Sequence, residues 1–148
     1  MKLWRYLIGF VLISAFALVQ ANTLKDINGE YINLDQYKGK WIFINYWASW
    51  CQPCVEEIGE LNKFYRHNQD KVALFAVNYE GISLAKQRKV IKKLGLLYPS
   101  LGEDPAFLFH LKQPRGVPAT FIFNPKGELY KTLYGSQTLS SLNQVLKS

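Results

Sequence analysis

The chain predicts an α/β fold: a central mixed β-sheet with helices on both faces and a short β-hairpin as an N-terminal extension. Three observations carry this. Strand-length apolar runs, rich in aromatic and β-branched residues, recur at 41–48, 71–79 and 119–123. Between them stand stretches with apolar residues three and four positions apart, opened and closed by helix-capping residues. The last apolar run is followed by a turn tetrapeptide and a returning strand. Strands that alternate with helices fold into one sheet with helices packed on its two sides.

The first 21 residues stand apart from that pattern. Lys2 and Arg5 precede an uncharged, largely apolar run from Leu7 to Val19, and Val19-Gln20-Ala21 offers small residues where a signal peptidase reads. Thirteen residues are short for a bilayer span, which needs roughly 20. Residues 1–21 are therefore expected to be a signal peptide or, if Leu3, Trp4 and Tyr6 extend the run into a tether over 3–20, an N-terminal membrane anchor. Residues 22–148 then form one domain. Without Lys2 and Arg5, 16 basic residues face 11 acidic ones and the charge is +5.

The remaining elements follow in order. Asn28-Gly29 reads as a tight turn between two short extended pieces, and Lys38-Gly39-Lys40 as a second turn. "WIFINYWA" (41–48) has the composition of a central buried strand. Val55, Ile58, Leu61 and Tyr65 then mark the inner face of a helix from about Cys51 to about His67, weakened by Gly59 at its middle. "KVALFAVNY" (71–79) is a second buried strand. Ser83 caps a helix through Leu94 that Gly95 ends. Asp104-Pro105 opens a short helix, "AFLFHL". "ATFIF" (119–123), the turn "NPKG" (124–127) and "ELYKTLY" (128–134) form a hairpin. Thr138 caps a last helix with Leu139, Leu142, Val145 and Leu146 inward.

About half of the residues are apolar and 15% are aromatic, which supports a packed core and excludes disorder. The formal charge is +7, with one basic cluster in "KQRKVIKK" (86–93). No nucleic-acid reader module accompanies it, so no nucleic-acid partner is expected and the cluster reads as a solvated helix face biased toward acidic partners.

Both cysteines of the chain lie in "SWCQPCVEE" (49–57). A structural bridge across two residues closes almost no loop and so stabilises little. A reactive pair makes better use of the position. Cys51 falls where a strand ends and a helix begins, and the partial positive charge and free N–H groups there favour a thiolate. The thiolate is the species that attacks a disulfide. Cys54, one turn on, is near enough to resolve the mixed disulfide, and Pro53 restricts the loop between them. The chemistry wants an exposed first thiol and a less accessible second one.

"NYWASWCQPCVEEI" followed by "GVPATFIFNPKGEL" resembles the thioredoxin-like superfamily over residues 24 to 147, and within it the exported reductase branch typified by TlpA, ResA and the cytochrome c maturation thioredoxins. The resemblance implies a thioredoxin-like fold and a thiol-disulfide oxidoreductase, with Cys51 as nucleophile and Cys54 as resolving thiol. It makes Trp50 the aromatic flank of the motif, Pro118 the cis-proline beside the site, and Val117 the residue whose backbone pairs with an extended substrate. Asn45 stands where cytosolic members carry a buried Asp, and Glu80 is the candidate replacement as proton acceptor. Glu56 and Glu57 read as ordinary helix-terminus acids.

The same resemblance implies no cofactor beyond the Cys51–Cys54 disulfide. The chain is expected to act as a monomer on protein disulfides outside the cytoplasm, in the periplasm or an equivalent compartment, with a membrane thiol as electron donor. Apocytochrome c is one possible client. A disulfide-donating oxidase of the same fold and a Cu(I) metallochaperone using the CxxC are the alternatives. A zinc site is not expected, because only His67 and His110 could join the thiols. A peroxidase is disfavoured because "WASWCQPC" lacks the Thr or Ser and Pro ahead of its cysteine.

Overall fold

The computed structural model describes residues 22–148; the expected signal or anchor segment lies outside the described residues. Five strands form one mixed sheet: β3 (Trp41–Trp47), β4 (Val72–Asn78), β5 (Ser100–Leu101), β6 (Ala119–Phe123) and β7 (Leu129–Tyr134), in the order β5-β4-β3-β6-β7. β3 runs parallel to β4 and antiparallel to β6, so the "WIFINYW" run is the middle strand. Its side chains alternate between two cores. Phe43 and Trp47 enter one, and Ile42, Ile44 and Tyr46 enter the other.

The two faces are covered unequally. Helices α1 (Gln52–His67), α2 (Leu84–Leu94) and α3 (Leu139–Val145) all bring apolar residues to the core of Phe43 and Trp47. The opposite face is covered by a separate hairpin of β1 (Thr23–Lys25) and β2 (Tyr31–Asn33), a 3-10 turn at Leu34–Tyr37, and the segment carrying Leu108, Phe109 and Leu111. The hairpin is held to the sheet edge by backbone bonds from Ile27 N–H to Ser100 O at 3.0 Å and from Gly102 N–H to Lys25 O at 2.8 Å. Gly102 is required there: a Cβ would come within 2.6 Å of the Asp26 carbonyl oxygen.

Local chemistry sets most boundaries where it was expected to. The Ser83 hydroxyl accepts from Lys86 N–H, and Gly95 ends α2 with φ of 69°. Thr138 and Ser141 form a reciprocal cap on α3. Three expectations fail. Helices were expected on both faces of the sheet, but α1, α2 and α3 share one. The inner face of α1 is Cys54, Glu57, Ile58, Leu61 and Phe64, rotated from the anticipated stripe, so Val55 and Tyr65 lie at its margins. And "AFLFHL" is a run of turns. Leu111 N–H reaches back five residues to Ala106 O and His110 has φ of 51°, both incompatible with a regular helix. Phe107 is left 92% exposed.

Candidate active site

The site is built at the carboxyl end of the middle strand. β3 stops at Trp47, the chain turns so that Cys51 N–H donates to Ala48 O at 3.2 Å, and α1 begins at Gln52. Cys51 is its N-cap: extended in backbone, with Sγ accepting from Cys54 N–H at 3.3 Å. Pro53, in the first turn, suits a position whose N–H would have no helical partner. Cys51 and Cys54 are joined in a disulfide with their Cα atoms 5.3 Å apart.

The expected contrast between an exposed and a hidden thiol is small in this oxidised state. Cys51 is 4% exposed and Cys54 1%. Trp50, by contrast, is 66% exposed beside the pair.

The largest departure from the sequence reading is Glu57. One helical turn after Cys54 and on the same face, it is not a solvated helix-terminus acid but is 1% exposed. One oxygen accepts from Asn45 Nδ2 at 2.8 Å, the other from Gln137 N–H at 2.9 Å. Burial raises its pKa from 4.5 to about 7, against the opposing pull of these two donors. Asn45 also donates to Thr120 Oγ1 at 3.1 Å and accepts from the Tyr98 phenol at 3.4 Å. Burial, with Glu57 near, pushes that phenol's pKa up. The signal for Glu57 was present in the sequence: the spacing from Cys54 through Ile58 and Leu61 to Phe64 carries it into the core.

Glu80 occupies a different place. It accepts from Ser49 N–H at 3.3 Å and Ser49 Oγ at 3.1 Å, and from Asn78 Nδ2 at 3.2 Å, so it braces the loop ahead of Cys51. Asn45, which stands where the acid that Glu80 was expected to replace would be, is bonded to Glu57.

Pro118 is buried, and the Val117–Pro118 peptide bond is cis. It immediately precedes β6, whose Ala119 pairs with Tyr46 next to the end of β3, so the topology brings Val117 and Pro118 to the strand end that carries Cys51. From the other side, the loop after β7 grips the start of α1: Ser136 Oγ donates to Pro53 O at 2.7 Å. Among the described residues no group of three or more His, Cys, Asp or Glu is placed to hold a metal ion. His67 ends α1 and His110 lies in the turns after Pro105.

Fold and site together define a thioredoxin-like protein with a CxxC disulfide at a helix start. The chain belongs to the AhpC/TSA family, whose model matches residues 17–132. It is 31% identical over 124 residues to the thiol-disulfide oxidoreductase ResA of Bacillus subtilis, covering 83% of this chain and 69% of that one. Among solved structures it superposes on StoA of Bacillus subtilis with a TM-score of 0.68 at 30% identity, covering 82% and 92% of the two chains. It also matches the exposed lipoprotein thioredoxin of Streptococcus pneumoniae, with a TM-score of 0.70 at 26% identity over 84% and 96%.

Proposed function

We propose that this protein is a thiol-disulfide oxidoreductase that reduces protein disulfides outside the cytoplasm. The observation that carries the reading is the Cys51–Cys54 disulfide at the first turn of α1, with the buried carboxyl of Glu57 one turn behind it.

In the reduced protein the Cys51 thiolate attacks one sulfur of a client disulfide. A Cys51–client bond forms, the client S–S bond breaks, and the released client thiolate takes up a proton. Glu57 accepts the Cys54 proton, and the Cys54 thiolate attacks Cys51 Sγ. The second client thiolate leaves, two electrons have passed to the client, and the internal disulfide of this structure is formed. A dithiol donor at the membrane returns the two electrons. Trp50 and the backbone of Val117 bind the client chain beside the pair, Pro53 and Pro118 shape the site, and Glu80 holds the Ser49 loop.

Reduction rather than oxidation is favoured by the same carboxyl. A strong disulfide donor is one whose reduced form is stabilised, and an ionised Glu57 behind the pair disfavours a second negative charge on sulfur. Gln52-Pro53 between the cysteines agrees with this. The apolar run at 7–19 and the exposed lipoprotein among the similar structures support an extracytoplasmic location, with the protein released by cleavage or held by its N-terminus. Haem-attachment thiols of apocytochrome c are a fitting client class.

Trapping tests the reading. A Cys54→Ser variant should accumulate a covalent adduct with a disulfide-bonded protein, dissolved by dithiothreitol, and Cys51→Ser should form none. Absence of any adduct in the first variant refutes the exchange.

A further inference from the structure

The donors that serve Glu57 differ in kind. The Gln137 N–H belongs to the backbone of the loop after β7 and has no freedom to turn. The Asn45 amide is a buried side chain on β3. Its Nδ2 donates to Glu57 at 2.8 Å and to Thr120 Oγ1 at 3.1 Å, while its Oδ1 accepts from the Tyr98 phenol at 3.4 Å. Thr120, on β6, and Tyr98, in the loop before β5, are buried as well. One amide thus stands between a carboxyl and two hydroxyls, out of reach of water.

This arrangement fits the ionised acid, which only accepts. A protonated Glu57 must donate its O–H, and a buried donor without an acceptor is costly. In thiol exchange that proton comes from Cys54. Once the Cys54 sulfur has entered the disulfide it is a weak acceptor, and Gln137 offers Glu57 only an N–H. Among the described contacts of Glu57, Asn45 is the group able to supply an acceptor. A half-turn of its amide exchanges Oδ1 and Nδ2. Oδ1 then faces Glu57 and Thr120, and Nδ2 faces Tyr98. Hydroxyls donate or accept according to how the O–H is rotated, so Thr120 and Tyr98 satisfy the amide in either orientation.

Of the groups that bear on Glu57, Cys54 on its own helix and Tyr98 titrate, and burial pushes the Tyr98 pKa up, which keeps the phenol neutral. β3, β6 and the loop after β7 bring Asn45, Thr120 and Gln137, which carry no charge. We propose that Asn45 is the positioning residue of proton transfer: its amide donates to Glu57 while the acid is ionised and turns over to accept from it once Glu57 holds the Cys54 proton. When the donor dithiol reduces the pair again, Cys54 takes the proton back and the amide returns. The inference rests on the reading of Glu57 as proton acceptor and adds the group that lets a buried acid hold either charge state.

The test follows the Asn45 amide protons of the isotope-labelled, oxidised protein by nuclear Overhauser effects, through the pH range in which the Glu57 carboxyl carbon titrates. Above the midpoint these protons should lie against the Thr120 side chain. Below it they should lie against the Tyr98 ring, with the exchange sharing the midpoint of Glu57. In Glu57→Gln the Gln137 N–H holds the new amide oxygen, the new NH2 group faces Asn45, and the Tyr98 pattern should persist at every pH. In Asn45→Leu, close in shape but without the amide, the pH rise of mixed-disulfide resolution should move up by about one pH unit, as loss of one hydrogen bond to a charged group implies. A wild-type pattern that stays the same at every pH overturns the proposal. So does a Thr120 pattern in Glu57→Gln, or an unmoved rise in Asn45→Leu. None of these results touches thiol exchange, which falls separately if Cys54→Ser captures no mixed disulfide.

Discussion

Asn45 and Glu57 meet 2.8 Å apart in the core, an amide on the middle strand donating to a carboxyl on the first helix. The contact ties β3 to α1 directly behind Cys54. It holds an acid where water is scarce, so the neutral form competes with the charged one near neutral pH.

The first prediction follows from that balance. Glu57 titrates near 7 in the fold and near 4.5 when unfolded, so between those values the native state holds the extra proton. Its contribution to stability is complete below about pH 4.5 and is lost as pH rises through about 7. The loss is on the order of 3 kcal/mol. Thermal melts of the oxidised protein should show that fall, and Glu57→Gln should flatten it. In the same variant, resolution of the mixed disulfide should slow roughly a hundredfold and lose its rise through neutral pH. A variant with the wild-type pH profile removes Glu57 from proton transfer.

Gly59 lies exposed in the middle of α1, and a Cβ there would meet nothing within 4 Å. Gly59→Ala should therefore stabilise the protein by up to about 1 kcal/mol. Urea unfolding with an unchanged m-value measures it, and destabilisation would mean that the flexibility of this helix has a role the packing does not reveal.

Gly102 is the opposite case. Its neighbour at 2.6 Å is the backbone oxygen of Asp26, which cannot swing aside. Gly102→Ala should cost roughly 1–3 kcal/mol and should loosen the N-terminal hairpin first. Hydrogen exchange at Ile27 N–H, bonded to Ser100 O, reports this locally.

How far the sequence reveals this molecule depends on where the determining physics sits. Ser83, Gly95 and Thr138 act on their own neighbours through caps, and they are legible. So are the middle strand and the CxxC at its end. The segment after Pro105 departs from the expected helix because Phe109 and Leu111 pack toward the sheet through turns, with tertiary packing overriding a helical pattern. β5 is two residues long and has no periodicity to read. Glu57 was missed for a further reason. Its acid was expected in the helix's first turn, but α1 starts at Gln52, so Glu57 falls in the second turn, and only the fold brings Asn45 and Gln137 against it.

The reductase reading comes down to the equilibrium potential of the Cys51–Cys54 couple, measured against a glutathione or dithiothreitol redox buffer. A value near about −270 mV is predicted. One near about −120 mV would make the protein a disulfide donor and contradict the account.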